Sequence, residues 1–109
     1  MTDDEIDFAQ RLAAHPRWQW MNGMLGHDTG LRLDEFTAEW EAKIPDLADP
    51  ATWGPLLVIL MSEGRVSINT ARDSGGSIRT RHGAFGFDGP EDIGFAIARA
   101  LLAAWDVAA

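Results

Sequence analysis

The chain is predicted to belong to the α+β class, with a small antiparallel sheet packed against a buried central helix and against helices near its two ends. Three observations predict this. Six consecutive apolar residues, Leu56 to Met61, lie between Pro55 and the helix-stopping pair Glu63-Gly64. Residues 65–82 alternate apolar and polar side chains on either side of a turn, the mark of a β-hairpin. Both ends carry helix-start residues followed by apolar side chains at three- and four-residue spacing.

The first helix is predicted from Thr2-Asp3-Asp4-Glu5, a capping box in which the threonine hydroxyl accepts from the backbone. Ile6, Ala9 and Ala13, flanked by Phe8 and Leu12, give its apolar stripe, and Pro16 ends it near Ala14 or His15. Trp18 and Trp20 then fall on one face of a short extended segment. His27 to Gly30 reads as a turn, and Leu31-Arg32-Leu33 as a second short strand. Between Asp34 and Ile44, Phe36 and Trp40 are four residues apart among Asp34, Glu35, Glu39 and Glu41. They would share one face of a short helix or anchor a loop.

For the central element two starts compete: Asp49 as cap with Pro50 first, or Thr52 as cap with Pro55 in the first turn. The first choice places Pro55 inside the helix, where a hydrogen bond is lost and a kink is expected. A buried strand is the rival reading of residues 56–61, but the prolines and Gly64 favour helix. An element apolar all round must be buried on most sides, so Leu57, Ile59 and Leu60 are expected in the core.

In the hairpin, Val66 and Ile68 alternate with Ser67 and Asn69 before the turn Asp73-Ser74-Gly75-Gly76, and Ile78 and Thr80 alternate with Arg79 and Arg81 after it. Residues 84–87 can add a third strand with Phe85 and Phe87 facing inward. Asp88, Pro90 and Glu91 open a last helix whose stripe is Ile93, Ala96, Ile97, Ala100, Leu101, Ala104 and Trp105. Phe95 and Leu102 lie outside that stripe, so this helix is contacted on a second side, by the first helix or by another copy of the chain.

The 109 residues fit a single domain, 1–109, and a chain of this size buries roughly 65% of its unfolded surface. With no cysteine there are no disulfides or cysteine-bound zinc. The acidic start is the opposite of a signal peptide, and the longest apolar runs fall far short of a bilayer span. A soluble cytoplasmic protein is expected. Residues 1–63 carry twelve acids against four bases, which accounts for the whole net charge of −8; the rest is balanced, five against five. That balance argues against direct nucleic-acid binding and favours a protein partner with a basic surface. Simple solvation of exposed faces is the plainer reading of the same acids.

Two stretches carry a resemblance: Trp18-x-Trp20-Met21-x-Gly23-Met24 and Pro45-Asp46-Leu47-x-Asp49-Pro50-Ala51-Thr52-x-Gly54-x-Leu56-Leu57. With the hairpin and the Ala/Leu-rich last helix following in order, the chain resembles small phage- and prophage-encoded accessory proteins. The family has no assigned reaction, so the resemblance implies an accessory setting and no catalytic residues; Pro55 departs from its pattern.

Nothing in the residues points to catalysis. His15, His27 and His82 have no second ligand at metal-site spacing, no nucleophile elbow surrounds any serine, and Gly75-Gly76 lacks the helix start and lysine of a phosphate cradle. Ala84-Phe85-Gly86-Phe87 has the wrong surroundings for an RNA-recognition motif. The chain is read as non-enzymatic, with no cofactor and no metal. Five tryptophans and no tyrosine are the stronger signal, because Trp both fills cores and anchors interfaces. Trp53 and Trp105 are assigned to the core. Trp18, Trp20, Asp34, Glu35, Glu39, Trp40 and Glu41 are the candidate partner-binding residues. The expected function is an acidic protein-binding module, in its sharper form an anti-CRISPR-like inhibitor occupying a basic nucleic-acid site of a host complex. The alternatives are a phage assembly protein that oligomerises through the last helix, and an enzyme whose site the sequence does not reveal.

Overall fold

The computed structural model describes residues 2–35, 37, 39–70 and 75–108. Its elements run α1 (Asp3–Ala13), α2 (Pro50–Ser62), β1 (Ser67–Thr70), β2 (Gly76–Thr80), β3 (Gly83–Phe87), a 3-10 turn (Pro90–Asp92) and α3 (Ile93–Ala108). The α+β class is as the sequence predicts. No helix among the described residues is long and apolar enough to cross a membrane.

Thr2 caps α1, its hydroxyl accepting from the Glu5 backbone N–H at 3.3 Å, and three acids in the first turn complement the helix dipole. The stripe buries Ala9 and Leu12 completely. Asp49 precedes α2 with Pro50 at its first position, and the helix runs on through Pro55 to Ser62. Pro55 has no N–H to offer the carbonyl four residues earlier, so one helical hydrogen bond is missing.

The sheet is antiparallel in the order β1-β2-β3. Ile68 pairs with Ile78 and Ile78 with Phe85, so these three share the inward row. Ile78 is buried and Phe85 half-buried, and beside them Phe87 is buried. Helix α3 covers β2 and β3. On the edge strand, Ile68 stays 47% exposed. The hairpin thus forms within the predicted span and the third strand pairs, whereas Asp73 and Ser74 of the predicted turn lie outside the described residues.

The buried helix is α3, not α2. Phe95, Ala96, Ile97, Ala98, Ala100, Leu101, Ala104 and Trp105 are all buried, because α2 packs on one side, the sheet on another and α1 on a third. The second contact expected for the last helix is therefore intramolecular. By contrast α2 buries Thr52, Leu56 and Leu60, while Leu57 and Ile59 are half-buried and Val58 and Met61 are 56% and 60% exposed. An unbroken apolar run predicts burial on most sides. Instead α2 lies at the periphery, with one face on α3 and the opposite face open.

Two tryptophans fix the helices to each other. Trp105, 1% exposed, stacks on His15 with ring centroids 4.8 Å apart. Its indole N–H donates to Glu63 Oε1 at 3.2 Å, and Arg17 Nη1 donates to Glu63 Oε2 at 3.4 Å, which ties the end of α2 to the segment after α1. Trp53 is half-buried rather than fully in the core. Its N–H donates to the Leu47 carbonyl at 2.8 Å, and a side chain at Gly94 would meet both that carbonyl and the Trp53 ring, so α3 approaches closely only because residue 94 has no Cβ.

Candidate recognition groove

The acidic half is organised by hydrogen bonds across short bridges rather than by regular strands. The Gly26 N–H donates to Leu31 O at 2.9 Å and Leu33 N–H to Met24 O at 2.9 Å, a single antiparallel bridge between Leu25 and Arg32. Gly30, at φ +69°, turns the chain between them in a conformation that suits glycine. Residues 43–46 then lie alongside: the His27 N–H donates to Ile44 O at 2.7 Å and Asp46 N–H to Leu25 O at 2.8 Å. The Asp28 carboxylate accepts from the Lys43 and Ile44 backbone N–H groups at 2.9 and 3.3 Å. The strand predicted around Trp18 and Trp20 does not form, and Leu31-Arg32-Leu33 contributes only the one bridge, since each segment is too short and too irregular to build a ladder.

Arg32 joins this region to α2. Its Nη1 donates to the Gly23 carbonyl at 2.7 Å and to Asp49 Oδ2 at 2.8 Å, while Nη2 donates to Asp49 Oδ1 at 3.3 Å. Thr52, fully buried, donates its hydroxyl to Asp49 Oδ2 at 3.1 Å and accepts from the Leu25 N–H at 3.1 Å. The Arg32 hydrogen bond holds the Asp49 carboxyl below the usual carboxylate range, helped by Thr52 and opposed by partial burial. The same bond raises the Arg32 guanidinium.

Trp18, Trp20 and Trp40 form an edge-to-face ladder. Trp18 and Trp20 have ring centroids 5.5 Å apart at 89°, and Trp20 and Trp40 are 5.1 Å apart at 61°, both within the favourable aromatic range. All three are half-buried, and Trp18 and Trp20 also pack against the core. None therefore stands free as an anchor. Neither the Trp18 nor the Trp40 indole N–H finds an acceptor among the described residues.

Trp40 closes one wall of a groove of about 300 Å³ lined by Thr29, Leu31, Arg32, Thr37, Glu39 and Glu41 as well. The structure thus brings Glu39, Trp40 and Glu41 of the predicted residues together. Trp20 and Trp18 stand behind Trp40 as support. Asp34 is turned into a local loop closure, its carboxylate accepting from the Thr37 hydroxyl at 3.0 Å. Glu35 is exposed and does not line the groove. Residues 34–44 hold no helix among the described positions, and the predicted pairing of Phe36 with Trp40 lies outside the described residues. Sequence reasoning missed Thr29, Arg32, Thr37 and Leu31 of this lining, and the apolar one of the four is Leu31, 64% exposed. Its signal is an apolar side chain directly after a turn glycine, which reads equally well as a strand residue.

Glu35, Glu39 and Glu41 have no ion-pair partner among the described residues, and the one cation in the groove lining, Arg32, is committed to Asp49. The rim is therefore negative and the wall apolar. No three His, Asp or Glu side chains among the described residues are grouped to hold a metal ion. Comparison with protein-family models, with curated proteins and with solved structures finds no match to this chain.

Proposed function

We propose that this protein is a non-enzymatic binding module that takes a basic protein surface into the groove between Leu31 and Trp40. One observation carries the reading: Glu39 and Glu41 flank an apolar wall and have no ion-pair partner among the described residues, Asp49 occupying Arg32. A lysine or arginine side chain is the complementary ligand. Its charged head meets the two carboxylates and its hydrocarbon stem lies along Leu31 and Trp40. The net charge of −8, all of it in residues 1–63, would speed the encounter with such a surface.

In its sharper form the module is an anti-defence inhibitor of phage type that occupies the nucleic-acid-binding surface of a host complex. The concentration of acids in one half of the chain supports this, since carboxylates presented on a rigid frame can stand where phosphates would.

Affinity recovery from a bacterial lysate at low salt tests the reading. The wild type should retain a basic protein that nucleic acid competes away, and the triple variant Glu35→Gln, Glu39→Gln, Glu41→Gln should lose it. Equal recovery by both proteins would rule out the acidic groove as the site.

A further inference from the structure

We infer that the outer edge of β1, together with the arginine groove beside it, forms a second docking site, for an extended acidic peptide segment of a partner protein. Strand β1 is at the edge of the sheet, and Ser67, Ile68, Asn69 and Thr70 are all exposed. It carries no proline and no charge and pairs with β2 in unbroken register. Such a strand, although only four residues long, carries none of the charges, prolines or bulges that discourage a further strand from pairing.

Next to it lies a groove of about 610 Å³ lined by Arg65, Val66, Ser67, Arg79, Thr80 and Arg81. Among the described residues, three guanidinium groups and no carboxylate line it, in a protein whose overall charge is −8. All three arginines are exposed and none is in an ion pair among the described residues. Arg81 is held locally, its Nε donating to His82 Nε2 at 3.2 Å. Arg79 pairs directly with Ser67 across the ladder, so its charge stands one strand away from the open edge.

Both features select the same occupant. An extended peptide satisfies the outward backbone N–H and C=O groups of β1 by strand addition. Its alternate side chains can then place carboxylates against Arg65, Arg79 and Arg81 and an apolar group against Ile68, which is 47% exposed. A phosphodiester backbone has no repeating N–H donors to match the strand edge, and the groove lining among the described residues includes no aromatic ring on which a base could stack. This site carries the opposite charge to the Leu31 and Trp40 groove, so the inference stands independently of the function proposed above.

An NMR titration of the full chain with a short blocked peptide alternating valine and glutamate tests it. A copy of the peptide N-methylated at alternate residues and a single-stranded oligonucleotide serve as comparison probes. Amide shifts should concentrate at Ser67 to Thr70, the N-methylated copy should bind much more weakly, and Arg79→Glu with Arg81→Glu should weaken the peptide roughly tenfold at low salt. Circular dichroism checks that the double variant is folded, and Arg79→Lys, which keeps the charge, should retain most of the binding. Shifts elsewhere or none at all, equal affinity for the N-methylated copy, or an oligonucleotide binding as tightly as the peptide would each overturn the inference.

Discussion

Asp49 accepts two hydrogen bonds from the guanidinium of Arg32, at 2.8 and 3.3 Å, across 17 residues of sequence. The pair does two jobs. It clamps the turn that carries Leu31 to the first turn of α2, and it removes the one positive charge that lines the groove among the described residues from competition with a basic ligand. A carboxylate that a sequence reading assigns to helix capping is thus spent on shaping a surface.

The pair also predicts a pH dependence. The folded-state pKa of Asp49 is depressed, so its contribution is fully present at neutral pH and is lost as pH falls through the folded value, below the ordinary carboxylate range of about 4. Asp49→Asn should lower the melting temperature by about 5 °C at pH 7, the usual scale for a bidentate but solvent-accessible pair in a small domain. The gap between variant and wild type should narrow as the pH falls below the ordinary carboxylate range. Thermal melts across that pH range check both the size and the sign.

Close approach at Gly94 gives a paired prediction. A methyl group there would collide with the Leu47 carbonyl and the Trp53 ring, so Gly94→Ala should destabilise by about 1–3 kcal/mol through overpacking. At Gly54, on the open face of α2, an added methyl group would meet nothing within 4 Å. There, Gly54→Ala should stabilise by about 0.5–1 kcal/mol through helix propensity. Urea denaturation of the two variants separates the cases.

The two faces of α2 should respond oppositely to charge. Leu60 is 1% exposed, and Leu60→Asp places an unpaired carboxylate in the core, which should cost more than about 4 kcal/mol and unfold the domain. Val58 is 56% exposed, so Val58→Asp should shift stability by no more than about 0.5 kcal/mol. Circular dichroism melts of both proteins decide it; equal losses would mean that α2 is enclosed after all.

Local signals are the legible part of this fold. Thr2 and Glu5 announce the start of α1, Pro50 the start of α2, and alternation at Ile68 and Ile78 marks the inward row of the hairpin. Rank in the core is not legible. Leu56 to Met61 looks more buried than Ala96 to Ala104 because hydropathy favours large side chains, yet it is the alanines that let α3 approach α2 and the sheet closely. The groove is half legible. Glu39, Trp40 and Glu41 are adjacent in sequence and stay together, but Trp20 meets Trp40, and Arg32 meets Asp49, only through tertiary contacts that no local periodicity encodes.

Trp40 supports the groove by resting on Trp20 at 5.1 Å. Trp20→Ala removes that support without touching the groove lining, so it should weaken capture of a basic ligand while leaving Glu39 and Glu41 in place. Trp20→Phe, which keeps a ring against Trp40, should restore most of it. Binding isotherms for the two variants, with folding verified by circular dichroism, check this order.

Capture of a basic ligand between Leu31 and Trp40 is tested most directly by an NMR map of where a lysine- and arginine-rich peptide binds the full chain at low salt. Amide shifts should concentrate at Thr29, Leu31, Arg32, Thr37 and Glu39 to Glu41, and should disappear in the Glu39→Gln, Glu41→Gln variant. Shifts concentrated instead at the acidic first turn of α1, or unchanged by the two substitutions, would contradict a recognition role for the groove.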